Sequence, residues 1–86
     1  MEDRQATVKN QLGIHARPSS LIVEVTAKFV SEITLIKDSL EVNGKSIMGV
    51  MMLAAETGST ILVRAEGEDE VEAVDKIVKM IEYKFD

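Results

Sequence analysis

The sequence predicts an α+β fold, an open-faced βαββαβα sandwich in which a four-stranded antiparallel sheet carries its helices on one face. Three observations lead there. Two stretches repeat apolar residues at helical spacing, four short runs alternate in the manner of half-buried strands, and 86 residues suffice for one hydrophobic core without a disulfide or structural metal. A single domain over residues 1–86 is therefore expected, with no linker and no internal repeat.

The elements follow in order. Gln5 to Lys9 alternates polar and apolar residues, with Ala6 and Val8 on one face, and predicts a first strand that Asn10-Gln11-Leu12-Gly13 breaks. From Ala16 the positions Pro18, Leu21, Ile22, Val25 and Phe29 recur at helical spacing, and Pro18 stands where a first-turn proline is tolerated. This helix is expected to end near Lys28 to Ser31. Ile33 to Ile36 and Leu40 to Val42 read as a hairpin joined by Lys37-Asp38-Ser39. After Asn43-Gly44, a short helix is expected beyond Ser46, its apolar run from Ile47 to Leu53 too dense for an ordinary surface helix. Thr60 to Glu66 is a fourth strand with Ile61, Val63 and Ala65 on one face. A last helix carries Val71, Val74, Ile77, Val78, Ile81 and Phe85 behind an acidic opening, with Lys76, Lys79 and Lys84 toward its end, as the helix dipole favours. The two long helices must cover the same sheet face to bury their apolar stripes. The strand order is not readable from these patterns.

Composition excludes several functions. A formal net charge of −5 and three aromatic residues, Phe29, Tyr83 and Phe85, argue against a nucleic-acid interface. The chain has no cysteine and one histidine, so neither thiolate chemistry nor a metal site is expected. No apolar run reaches membrane-spanning length, and Glu2, Asp3 and Arg4 stand where a secretory signal would need a basic stretch before an apolar one. A soluble cytoplasmic protein is expected, with no membrane insertion.

That histidine, His15, falls in Gly13-Ile14-His15-Ala16-Arg17-Pro18-Ser19, where a turn becomes a helix. The first turn of a helix leaves backbone N–H groups without partners, and these together with the dipole favour an anion. Arg17 adds a planar fork of donors suited to phosphate oxygens. A nucleophilic imidazole at such a junction suits phosphoryl transfer, which depends chiefly on positioning and charge stabilisation. A deep phosphate pocket would form a trap: every ~1.4 kcal/mol of extra stabilisation shifts donor and acceptor equilibria about tenfold in opposite directions. Local residues alone leave a second reading of His15 open, a helix-terminal side chain bonded to the backbone, and likewise a merely solvated Arg17. Ser46 reads as the N-cap of the short helix, and phosphate there would add roughly −1.5 to −2 charge where the dipole accepts it. Ile47, Met48 and Met51 are candidates for a docking surface, because a short helix with apolar residues on several sides cannot bury them all; Val50 and Leu53 are read as core.

Gly13 to Ser19 resembles the active-site signature of the HPr family, and Asn43-Gly44-Lys45-Ser46-Ile47-Met48-Gly49-Val50-Met51 is similar to that family's regulatory serine segment. The resemblance extends through the βαββαβα order. It implies a phosphocarrier rather than an enzyme, with no cofactor. His15 would accept a phosphoryl group through Nδ1 from phospho-enzyme I, itself charged by phosphoenolpyruvate, and donate it to sugar-specific enzyme IIA components. Arg17 would orient the group, and Ser46 would be the target of an HPr kinase/phosphorylase. A monomer is expected. The resemblance also admits a regulatory protein that works through Ser46 and a transcriptional regulator, with little part in sugar transport. Two positions differ from the family pattern: Leu12 replaces a small polar residue, and Ala54-Ala55 a segment that often contains glycine. A hydrolase using His15 as general base finds no triad motif to support it.

Overall fold

In the computed structural model, which describes residues 1–83, the period-two runs become four strands. They are β1 (Glu2–Thr7), β2 (Glu32–Lys37), β3 (Leu40–Asn43) and β4 (Thr60–Glu66), and the helices are α1 (Ala16–Thr26), α2 (Ile47–Met52) and α3 (Glu70–Ile81). All neighbouring strands are antiparallel, in the order β1-β4-β2-β3. The first strand pairs with the last, Glu2 opposite Ala65 and Thr7 opposite Thr60, and β2 lies between β4 and β3.

Register puts one residue set inward. Ala6, Ile33, Leu35, Val42, Ile61, Val63 and Ala65 are buried, and α3 covers them with Ala73, Val74, Ile77, Val78 and Ile81. From α1, Pro18 and Ile22 complete the layer. Each fully buried Ile or Val side chain contributes about 1.5–3 kcal/mol of transfer free energy, so this shared stripe holds the helices to one face. The opposite face carries Asp3, Gln5, Thr34, Glu41 and Arg64. Leu62 and Ile36, apolar residues on that face, stand directly opposite each other in the ladder and are each partly covered. Among the described residues, no helix is long and apolar enough to cross a membrane.

Three expectations need correction at their edges. The first strand runs Glu2–Thr7 rather than Gln5 to Lys9. Val8 keeps sheet-like partners, donating to the Ser59 carbonyl and accepting from Gly58 N–H, but the regular ladder ends at Thr7. The regular helix α1 ends at Thr26, whose hydroxyl donates to the carbonyls of Val23 and Gly44, and Ala27 N–H makes the last four-residue bond, to the Val23 carbonyl. Tighter bonds from Lys28 to Val25 and Phe29 to Thr26 carry the turn onward, which explains why Phe29 still packs against the core. Val71 is 58% exposed, and Ala73 takes its place in the buried stripe of α3. Lys84 and Phe85 lie outside the described residues.

Candidate functional site

His15 is the N-cap of α1, with extended backbone (φ −97°, ψ −164°) and no hydrogen bond from its side chain to the helix. Its carbonyl accepts Ser19 N–H at 3.0 Å. Pro18, which has no N–H, occupies the first turn, leaving Ala16 and Arg17 as the outward backbone donors. No acidic residue stands in that turn to occupy them. The imidazole is half-buried and Arg17 is exposed, so the junction is a shallow, solvent-reaching site at the positive end of an eleven-residue helix.

The loop before His15 is fixed from a distance. Gly13 adopts φ +72°, a conformation that favours glycine. Its N–H donates to the Asn10 carbonyl at 3.0 Å, and the buried Asn10 amide donates to the Gly13 carbonyl at 2.7 Å. Ile14 N–H donates to the Ala55 carbonyl at 2.8 Å, and the Thr57 hydroxyl donates to the Asn10 carbonyl. Asn10, Ala55 and Thr57 thus position the histidine without belonging to its motif. The sequence-level signal for them was slight: an asparagine and a glycine in one short turn, and a small-residue pair after a helix.

Ser46 is the N-cap of α2, and its hydroxyl accepts Gly49 N–H at 3.1 Å. The segment before it is tied to the far end of α1, where Thr26 donates to Gly44 and the Lys45 ammonium donates to the Phe29 carbonyl at 2.7 Å. The Ala55 segment after α2 holds the near end of α1. Consequently α2 runs alongside α1 in the opposite sense. His15 and Ser46 sit at opposite ends of the pair, separated by roughly 16 Å at ~1.5 Å per residue along α1.

Between those ends α2 divides cleanly. Val50 and Leu53 are buried, as expected, at 0% and 2% exposure. Ile47, Met48 and Met51 are exposed, as is Met52, a further residue beyond the three docking candidates. These four side chains form an apolar strip along the exposed face of α2.

Comparison with known proteins bears on this arrangement. Residues 2–83 match the family model described as PTS HPr component phosphorylation site. The chain is 47% identical over 79 residues to phosphocarrier protein HPr of Treponema pallidum, covering 92% of this chain and 90% of that protein. Among solved structures, HPr from Bacillus anthracis superposes with a TM-score of 0.90 at 37% identity, covering 94% of this chain and 96% of that one. Crh, the catabolite repression protein of Bacillus subtilis, superposes at 0.76 with 41% identity, covering 94% and 93%; its structure is a domain-swapped dimer.

Proposed function

The chain belongs to the HPr family of phosphocarrier proteins of the phosphotransferase system, and from that membership we propose that His15 accepts a phosphoryl group from phospho-enzyme I and donates it to enzyme IIA components. The single observation that carries this reading is the half-buried His15 at the N-terminal end of α1, a turn with no side-chain cap bond and no acidic residue, with Arg17 in the same turn. Attack by imidazole nitrogen on phosphorus forms the phosphohistidine as the bond from phosphorus to the donor breaks, the donor leaving with that electron pair. The exposed turn stabilises the dianion by about 0.3–1 kcal/mol, up to ~2 if partly buried, enough to orient it and too little to trap it. Arg17 supplies the compensating charge from an exposed, solvated position. Enzyme I and its acceptors bring the remaining groups, and the carrier needs no cofactor or metal of its own.

Ser46 is proposed as a regulatory site for an HPr kinase/phosphorylase, and Ile47, Met48 and Met51 as part of the docking surface. A phosphate on Ser46 lies too far from His15 to contact it and would act by repelling acidic partners from the strip between them. Likeness to Crh supports a second reading, a regulatory protein acting through Ser46 on a transcriptional regulator. His15 beside Arg17 favours the carrier. The proposed setting is the cytoplasm, which the lack of cysteine fits, and the proposed working form is a monomer of one domain; sedimentation that returned a dimer would overturn the latter.

The deciding experiment supplies enzyme I and phosphoenolpyruvate. Acid-labile label on His15 that moves to an enzyme IIA is the expected result; a chain that is never labelled there overturns the reading.

A further inference from the structure

Three of the five methionines lie within α2 and its last turn, and all three face water: Met48 is 71% exposed, Met52 62% and Met51 40%. The remaining two differ. Met80 is half-buried against the core, and Met1, 67% exposed, lies on β1's side of the sheet, away from α2. We propose that Met48, Met51 and Met52 form a peroxide-sensitive modification site, whose oxidation to methionine sulfoxide weakens docking on the α2 strip while leaving the fold intact.

The chemistry is a two-electron transfer. A thioether lone pair attacks the terminal oxygen of a hydroperoxide, the O–O bond breaks, the sulfur gains one oxygen, and the peroxide leaves as water or alcohol. Rates of this reaction follow access, which the three side chains have. The consequence follows from the division of α2. Its core anchors are Val50 and Leu53, neither of which contains sulfur, and its N-cap bond uses Ser46 and Gly49. Oxidation therefore leaves both core anchors and the cap bond in place. It does convert three flexible apolar groups into polar, chiral ones on the surface proposed to meet several partners, where an apolar partner would have to desolvate each new S–O dipole. No cysteine competes for the oxidant.

This inference rests on the carrier reading, and the test separates the two. The protein is treated with limiting hydrogen peroxide, quenched, and mapped by peptide mass spectrometry, and the rate of His15 labelling by enzyme I and phosphoenolpyruvate is measured before and after. Met1, Met48 and Met52 should oxidise first, Met51 next and Met80 last. The labelling rate should fall several-fold with the thermal midpoint unchanged, and methionine sulfoxide reductases should restore it. A variant with Met48, Met51 and Met52 replaced by leucine, compared with itself, should keep its own rate after peroxide. Full oxidation of the three without change in rate overturns the inference, as does a rate loss matched by loss of folded protein. Failure of the untreated protein to be labelled overturns the carrier reading and this inference with it.

Discussion

A β-carbon built on Gly13 would lie 2.4 Å from the carbonyl oxygen of Ala55, the same atom that accepts Ile14 N–H at 2.8 Å. The backbone approach that seats the histidine loop is thus open only to glycine. Gly13→Ala should cost about 1–2 kcal/mol through its left-handed φ alone. The contact with Ala55 adds to that and must displace the loop, so His15 labelling should slow as well. Urea denaturation and the initial labelling rate check both; a variant of unchanged stability would contradict the geometry.

Ala54 presents the opposite case. It holds φ +49° with a β-carbon in place, one residue before the carbonyl that anchors the loop. Ala54→Gly should release ~1–2 kcal/mol of strain against ~0.5–1 kcal/mol of added freedom in the unfolded chain. A net gain of about 0.5 kcal/mol is expected, seen as a raised thermal midpoint. A lowered midpoint would show that Ala54 makes contacts worth more than its strain.

At the other end of the fold, Asp69 accepts hydrogen bonds from the Ser31 hydroxyl at 2.5 Å and from the N–H groups of Val30 and Ser31 at 3.0 Å, joining the entry to β2 to the start of α3. These bonds, the Ser31 hydroxyl foremost, hold its carboxyl below the usual aspartate value. Because the folded value is lowered, the stabilisation is complete above the ordinary value of about 4 and is lost as pH falls through the lowered one. Asp69→Asn should therefore unfold at a lower temperature than the parent at pH 7, and the gap should narrow as both are acidified. A gap independent of pH would remove the charge from the explanation.

Ser46 variants separate capping from charge. Ser46→Ala loses the bond to Gly49 and should cost about 1 kcal/mol with transfer little changed. Ser46→Asp keeps a capping oxygen, so stability should hold while transfer from enzyme I slows. Equal transfer rates in the two variants would count against an electrostatic switch.

His15→Ala should abolish phosphoryl acceptance and leave the fold standing, since the ring is half-buried at the start of a helix and makes no cap bond. Circular dichroism with labelling distinguishes this from collapse. Labelling that persists would place the acceptor elsewhere.

The sequence made some of this legible for reasons specific to each element. Ile61, Val63 and Ala65 alternate against a single buried face, and Ile77, Val78 and Ile81 repeat along a helix, so periodicity alone locates them. The proposed site residues His15, Arg17 and Ser46 are local as well, each set by a helix start. The features without a local pattern depend on partners distant in the chain. Thr57 reaches Asn10 across 47 positions, and Asp69 reaches Ser31 across 38, so neither leaves a pattern in its neighbourhood. Glu2 to Arg4 shows no hydrophobic alternation because β1 is an edge strand, and Arg4 on its inner side turns to Asp75 of α3. Met52 lies inside an unbroken apolar run, and only the turn of α2 decides that it faces out.

The pairing of β1 with β4 and of Ile14 with Ala55 has a consequence for biosynthesis. While the polypeptide is still emerging from the ribosome, its opening strand has nothing to zip against and the segment bearing the imidazole has no shelf to rest on until residues 55 to 66 have cleared the exit tunnel. The junction at the start of α1 is therefore assembled only late, from a chain long enough to supply both the shelf and the last strand.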